Sequence, residues 1–117
     1  MATGIDTNRL LQVIAVLEKR AAVSFANLDV IVSVAGGIRL SETALDLPLA
    51  LALLSALKST PLSSEAVAFG EIALTGQIRT APAEALRIKE ANALGIERVI
   101  SAQTHPSIEQ CADLFDR

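Results

Sequence analysis

The stretch from Leu45 to Lys58 constrains the fold more than any other, because in a helical projection it is apolar on nearly every side. Leu47, Leu49, Ala50, Leu51, Leu53, Leu54 and Leu57 leave no polar stripe for water, and Pro48 falls where a first helical turn tolerates it. Such a helix has to be buried, so the rest of the chain must supply a sheet and further helices to cover it. Upstream, Gly36-Gly37 closes an apolar run, glycine being the residue that takes positive φ without steric cost. Downstream, Phe69-Gly70-Glu71-Ile72 and Gln77-Ile78-Arg79 flank Leu74-Thr75-Gly76, which predicts two short strands and a tight turn beside the helix.

The remaining elements follow from periodicity. Leu10, Leu11, Val13, Ile14, Val16 and Leu17 recur at helical spacing behind Asp6 and Thr7, either able to cap, and Lys19-Arg20 suit the negative end of the dipole. This predicts a first helix over Asn8 to Arg20. From Leu28 to Val34 apolar and other residues alternate with period two, which predicts a half-buried strand. Lys58 to Ser64 is a polar loop with a proline. Pro82 starts and Gly95 caps a helix from Ala83 to Leu94; Val99-Ile100-Ser101 is strand-like. Pro106 opens a last helix whose Ile108, Cys111, Leu114 and Phe115 face inward. The order α-β-α-β-β-α-β-α fits an α+β layered domain, helices packed on a mixed β-sheet.

Length and composition bound the function. At 117 residues the chain suits one domain over 1–117, burying roughly two-thirds of its unfolded surface. Charged residues interrupt every apolar run before the roughly 20 residues that span a bilayer. Three Phe with no Trp or Tyr leave few platforms for stacking single-stranded bases. A single cysteine, Cys111, excludes an intramolecular disulfide, and no secretory signal opens the chain, so a reducing cytoplasm is the expected compartment. The net charge of −3 argues against a broadly basic nucleic-acid surface.

Several segments together resemble a known family. Gly4-Ile5-Asp6-Thr7-Asn8-Arg9, the run from Asp29 to Gly37, the helix start at Asp46, and the run from Phe69 to Arg79 are similar to the proteolytic domain of Lon proteases. The closer resemblance is to the Lon-like C-terminal domain of bacterial DNA-repair ATPases of the RadA (Sms) type. It implies a Lon-like fold. In active Lon-type domains a serine precedes the buried helix and a lysine opens the helix after the hairpin, the lysine amine deprotonating the serine hydroxyl. Here those places hold Ala44 and Ala85. The resemblance therefore implies a vestigial, non-proteolytic domain with no cofactor or metal of its own. It further implies a longer parent: a DNA-dependent ATPase with ATP, Mg and Zn sites elsewhere in its chain. Such a parent forms a hexameric ring, acts on single-stranded or branched DNA in homologous recombination, and has a RecA-type recombinase as a further partner. This chain has neither a phosphate-binding loop nor four cysteines, so those sites would lie outside it and the chain would be a carboxy-terminal fragment.

Other readings remain open at the level of residues. A Ser-Lys peptidase with displaced residues would need Ser41 or Thr43 with Lys89, one helical turn beyond Ala85, but a one-turn shift moves a side chain out of hydrogen-bond reach. A Lon-like module of a magnesium-chelatase-related ATPase is the other alternative. Glu42 and Asp46, near a helix start, suit capping better than acid-base chemistry. His105 has no second histidine to join, and Cys111 is expected as a small buried hydrophobe. Arg39, Arg79 and Arg87, with Lys89, are either ordinary surface charges or an edge that meets DNA phosphates or the carboxylates of a neighbouring subunit.

Overall fold

The computed structural model describes residues 2–33, 43–62 and 66–115. Gly36-Gly37, Arg39, Ser41 and Glu42 lie outside the described residues, so their expected roles are not placed by it. In chain order the elements are β1 (Ala2–Thr3), α1 (Thr7–Arg20), β2 (Val32–Ser33), a 3-10 turn (Thr43–Leu45), α2 (Asp46–Lys58) and β3 (Ala66–Ala68). There follow β4 (Glu71–Ile72), β5 (Ile78–Arg79), α3 (Glu84–Ala93), β6 (Arg98–Ile100), α4 (Ile108–Ala112) and a closing 3-10 turn at Asp113–Phe115.

The all-round apolar segment is the buried helix its composition demands. Leu47, Leu49, Ala50, Leu51, Leu53 and Leu54 of α2 are buried against α1, β4 and α4. α1 contributes Leu10, Val13, Val16 and Leu17, and α4 with its 3-10 extension adds Ile108, Cys111 and Phe115. The strands pair two by two: β1 with β2 in parallel, β3 with β6 in parallel, and β4 with β5 as an antiparallel hairpin in which Glu71 faces Arg79 and Ile72 faces Ile78. Helices with mixed strand pairing make the domain α+β.

Two expectations about the elements need correction, and two short strands are added to them. The strand expected from Leu28 is confined, among the described residues, to Val32–Ser33. A turn closed by the Leu28 amide on the Phe25 carbonyl, with Asn27 at φ 66°, occupies the residues before it, and Leu28 and Ile31 are exposed. The strand expected over Phe69–Ile72 is confined to Glu71–Ile72, with Phe69 and Gly70 linking it to β3. At Gly70 the chain leaves β6 and crosses to the head of α2: its N–H donates to the Ala44 carbonyl at 2.9 Å, and its carbonyl accepts the Leu47 amide at 3.0 Å. A methyl at Gly70 would stand 2.8 Å from Ile78 Cγ2, so only glycine permits that approach. Finally, β1 and β3 were not anticipated, since two or three residues show no alternation.

The helix ends are closed by local chemistry. The Gly95 amide donates to the Asn92 carbonyl and the Ile96 amide to the Ala91 carbonyl, with Gly95 at φ 79°, so the expected glycine cap of α3 is a Schellman motif. The start of α4 is a capping box: Ser107 Oγ accepts the Gln110 amide while the Gln110 side chain accepts the Ser107 amide.

Candidate functional site

The 3-10 turn, β3 and α3 enclose an open apolar groove of about 360 Å³. Ala44 lies at its foot, 1% exposed, in a small cluster with Phe69 and Ala81. Val67, Leu86, Leu94 and Ile96 line the walls, and Arg87 and Glu90 are the charged residues that border it. The Arg87 guanidinium stands over the Phe69 ring, 5.9 Å from its centroid, and its Nε donates to the Pro82 carbonyl at 2.8 Å. Ala85, in the first turn of α3, is exposed. The two positions that the Lon resemblance singles out thus present methyl groups, one packed under the groove and one on the surface. Beside them Glu84 is buried; its Oε1 accepts the Ala81 amide at 3.4 Å, and its Oε2 has no hydrogen-bond partner among the described residues.

Asp46 has a structural role other than the expected cap. It opens α2 at 2% exposure, and the helix is capped by no side chain. Its carboxylate takes a two-point contact from Arg9, Nε at 2.6 Å and Nη2 at 2.5 Å, and also accepts the Ile72 amide at 3.0 Å. One carboxylate therefore ties α1, α2 and β4 together. The hydrogen bonds that Arg9 donates to the Asp46 carboxylate raise the Arg9 pKa above its ordinary value, against the opposing effect of burial. Arg9 is the residue that sequence reasoning left without a role, although it closes the Gly4 to Arg9 opening motif.

Of the expected arginine edge, Arg39 lies outside the described residues, and Arg79 and Arg87 have different partners. Arg79 Nη1 lies 3.8 Å from Glu71 Oε1 across the hairpin, in the open, whereas Arg87 is engaged on Phe69 and Pro82. Lys89 is exposed on α3. His105 sits half-buried in a turn, its Nδ1 2.9 Å from Thr104 Oγ1; burial, then the nearby Arg98 charge, lower its pKa. Cys111 is fully buried and burial pushes its thiol up to about 12, as fits an inert apolar position. Among the described residues no three His, Cys, Asp or Glu gather to hold a metal, and no helix is long and apolar enough to cross a membrane.

A family model described as subunit ChlI of Mg-chelatase matches residues 6–105. DNA repair protein RadA of Rickettsia bellii is 46% identical over 120 residues, covering 98% of this chain and 27% of the relative. RadA of a Synechocystis species is 44% identical over 107 residues, covering 92% and 21%, and RadA of Escherichia coli 42% over 100 residues, covering 86% and 22%. The chain spans about a quarter of the length of the curated relatives it matches. Both alternatives that the residues left among ATPase-linked modules meet in this result, since the family takes its description from the magnesium chelatase subunit and the relatives are RadA. The chain belongs to that family, in the form found in bacterial DNA repair proteins named RadA.

Proposed function

We propose that this chain serves DNA repair as a non-catalytic, Lon-like scaffold of a RadA-type ATPase, ordering subunits into a ring and adding positive groups along the DNA path. The observation that carries it is Ala44: in a chain that matches RadA nearly throughout, the place where a Lon-type nucleophile would stand is a buried methyl under an apolar groove. Alanine offers no lone pair to attack a carbonyl, and Ala85 offers no amine to take a proton. Asp46, the best-held carboxylate nearby, is consumed by Arg9 and the Ile72 amide.

On this reading the motor chemistry, with ATP, Mg and Zn, belongs to the parts of the parent beyond these residues. DNA, single-stranded or branched, and a recombinase of the RecA type are partners of the whole protein, in the bacterial cytoplasm and in homologous recombination. Of the two described edge arginines, Arg79, largely exposed and only loosely paired with Glu71, is better able than Arg87 to reach either DNA or a neighbouring subunit.

The test is Arg79→Glu in the intact parent, followed by native mass and by single-stranded DNA affinity at low and moderate salt. Assembly or affinity should fall, and a DNA effect should shrink as salt rises, because phosphate contacts release counterions. No change in either property would remove Arg79 from the proposed edge.

A further inference from the structure

Helix α3 is the most weakly seated helix among the described residues. Of its ten residues only Glu84 and Ala91 are buried, whereas α1 buries Leu10, Val13, Val16 and Leu17, and the five residues of α4 bury three. The groove above Ala44 separates α3 from the 3-10 turn and β3, and Leu86 and Leu94 of the helix are exposed. Its remaining hold is Ile88, half-buried against the Phe69 cluster, and the Arg87 guanidinium over the same ring. An element that buries so little apolar surface opens more readily than the core it rests on.

Two further features, independent of that packing, disfavour the seated position. Ala83, the residue that opens α3, has φ 54° and ψ 39°, in the left-handed region, where such a residue is ordinarily extended. The other positive-φ residues with side chains have ordinary reasons: Ser59 caps the end of α2, Ala22 follows the end of α1, and asparagine, at Asn27, tolerates this region. Next to Ala83, Glu84 is buried; its Oε1 accepts the Ala81 amide at a long 3.4 Å, and its Oε2 has no hydrogen-bond partner among the described residues. A buried carboxylate oxygen without a hydrogen bond is costly, and turning the side chain into water removes that cost. A strained backbone angle and an orphaned oxygen at one point mark a segment held in place by its surroundings rather than by its own chemistry.

We propose that α3 is a hinged flap over the groove above Ala44. It pivots at Ala83 and at Gly95, which has φ 79° and open space where a side chain would stand. The helix leaves the domain as a unit, relaxes Ala83, releases Glu84 to water and uncovers Phe69, Ala81 and Ala44. In the closed form described above Ala44 is 1% exposed, so access to the floor of the groove is set by the position of α3 and not by the fixed shape of the fold. The flap goes beyond the scaffold reading, which makes no demand on the motion of α3, and stands or falls without it.

The experiment is native-state hydrogen exchange, followed by NMR, on the full chain in urea well below its unfolding midpoint. The Arg87 and Leu94 amides, bonded to the Ala83 and Glu90 carbonyls, and the Ala91 amide between them should share one level of protection. That level should lie on the order of tenfold or more below that of Leu51 and Leu54 in α2 and depend little on urea. Ala83→Gly, which removes the strain, should raise the protection of all three α3 amides about three-fold, the left-handed penalty less the freedom that glycine gives up. Glu84→Gln, which keeps an acceptor for the Ala81 amide and replaces the carboxylate by a neutral amide, should raise it as well. Protection in α3 equal to that in α2, with the same urea dependence, would overturn the proposal, because α3 would then open only with the whole fold. A gradient rising from the helix ends to its middle would mean fraying and would overturn it too. So would α3 rates untouched by Ala83→Gly while the α2 rates fall, since Ala83 would then keep its strain when the helix opens. The comparison within the unmodified chain decides even where a variant fails to fold.

Discussion

Removing Arg9 should cost this domain a large share of its stability. Asp46 is 2% exposed, and without Arg9 its carboxylate keeps, among the described residues, only the Ile72 amide. Breaking a buried pair from one side costs about 3–5 kcal/mol, because an unpaired charge stays buried. The Arg9 side chain is 29% exposed, so water would reach part of the vacated space, and about 2–3 kcal/mol is the reasoned figure for Arg9→Met. That compares with a total of about 5–15 kcal/mol for a domain of ordinary stability. With a urea slope of about 2 kcal/mol per molar, the midpoint should move down by about 1–1.5 M. Asp46→Asn should cost less, about 1–2 kcal/mol, since its amide oxygen still accepts the Ile72 amide. The double variant should cost less than the sum of the two by about 1.5 kcal/mol, which a double-mutant cycle in urea measures. A cost for Arg9→Met below about 0.5 kcal/mol, the scale of an exposed pair, would refute the three-element tie; so would strict additivity. Because its raised pKa keeps Arg9 charged, this stabilisation persists through neutral and alkaline pH and is lost only as pH passes the folded value.

Two further outcomes are expected. His105 has its pKa lowered by burial and then by Arg98, so the fold binds its proton less readily than the unfolded chain does. Its contribution is complete above the ordinary value of 6.5 and declines as pH falls from there toward the folded value; His105→Gln should flatten that part of the urea-midpoint profile, and an unchanged slope would contradict it. Cys111, with its thiol pushed up to about 12, should resist a thiol reagent at pH 8 in the folded domain and react fully in urea. Rapid labelling without denaturant would show that α4 opens far more readily than its burial suggests.

How much of this was legible depends on the range over which each signal acts. The all-round apolar pattern of α2, the hairpin about Gly76 and the glycine cap at Gly95 are local, and each stands where its residues require. Ser107 and Gln110 carried an equally local capping signal, S-x-x-Q, that went unused. The partnership of Arg9 with Asp46 joins residues far apart in sequence, and no periodicity reports which carboxylate an arginine reaches. The same holds for β1 and β3, whose two or three residues become strands only because β2 and β6 lie beside them. At the candidate site, the identities at Ala44 and Ala85 could be read directly, while their different depths, and the separate engagements of Arg79 and Arg87, depend on packing.

The strand pairing carries a consequence for the order of events in folding. The hairpin β4–β5 needs only a short loop to close, but the parallel pairs join Ala2 to Val32 and Ala66 to Arg98. Closing loops of that length costs about 3 kcal/mol of chain entropy before two or three residues of pairing return anything. Neither parallel pair can therefore lead. The helix contact of α1 with α2 closes a loop of similar length but buries Leu10, Val13, Leu47 and Leu51 at once, so it is expected to form first and the strands to meet as a result. Substitutions on the α1–α2 contact should slow refolding, whereas those in β1 or β3 should chiefly hasten unfolding.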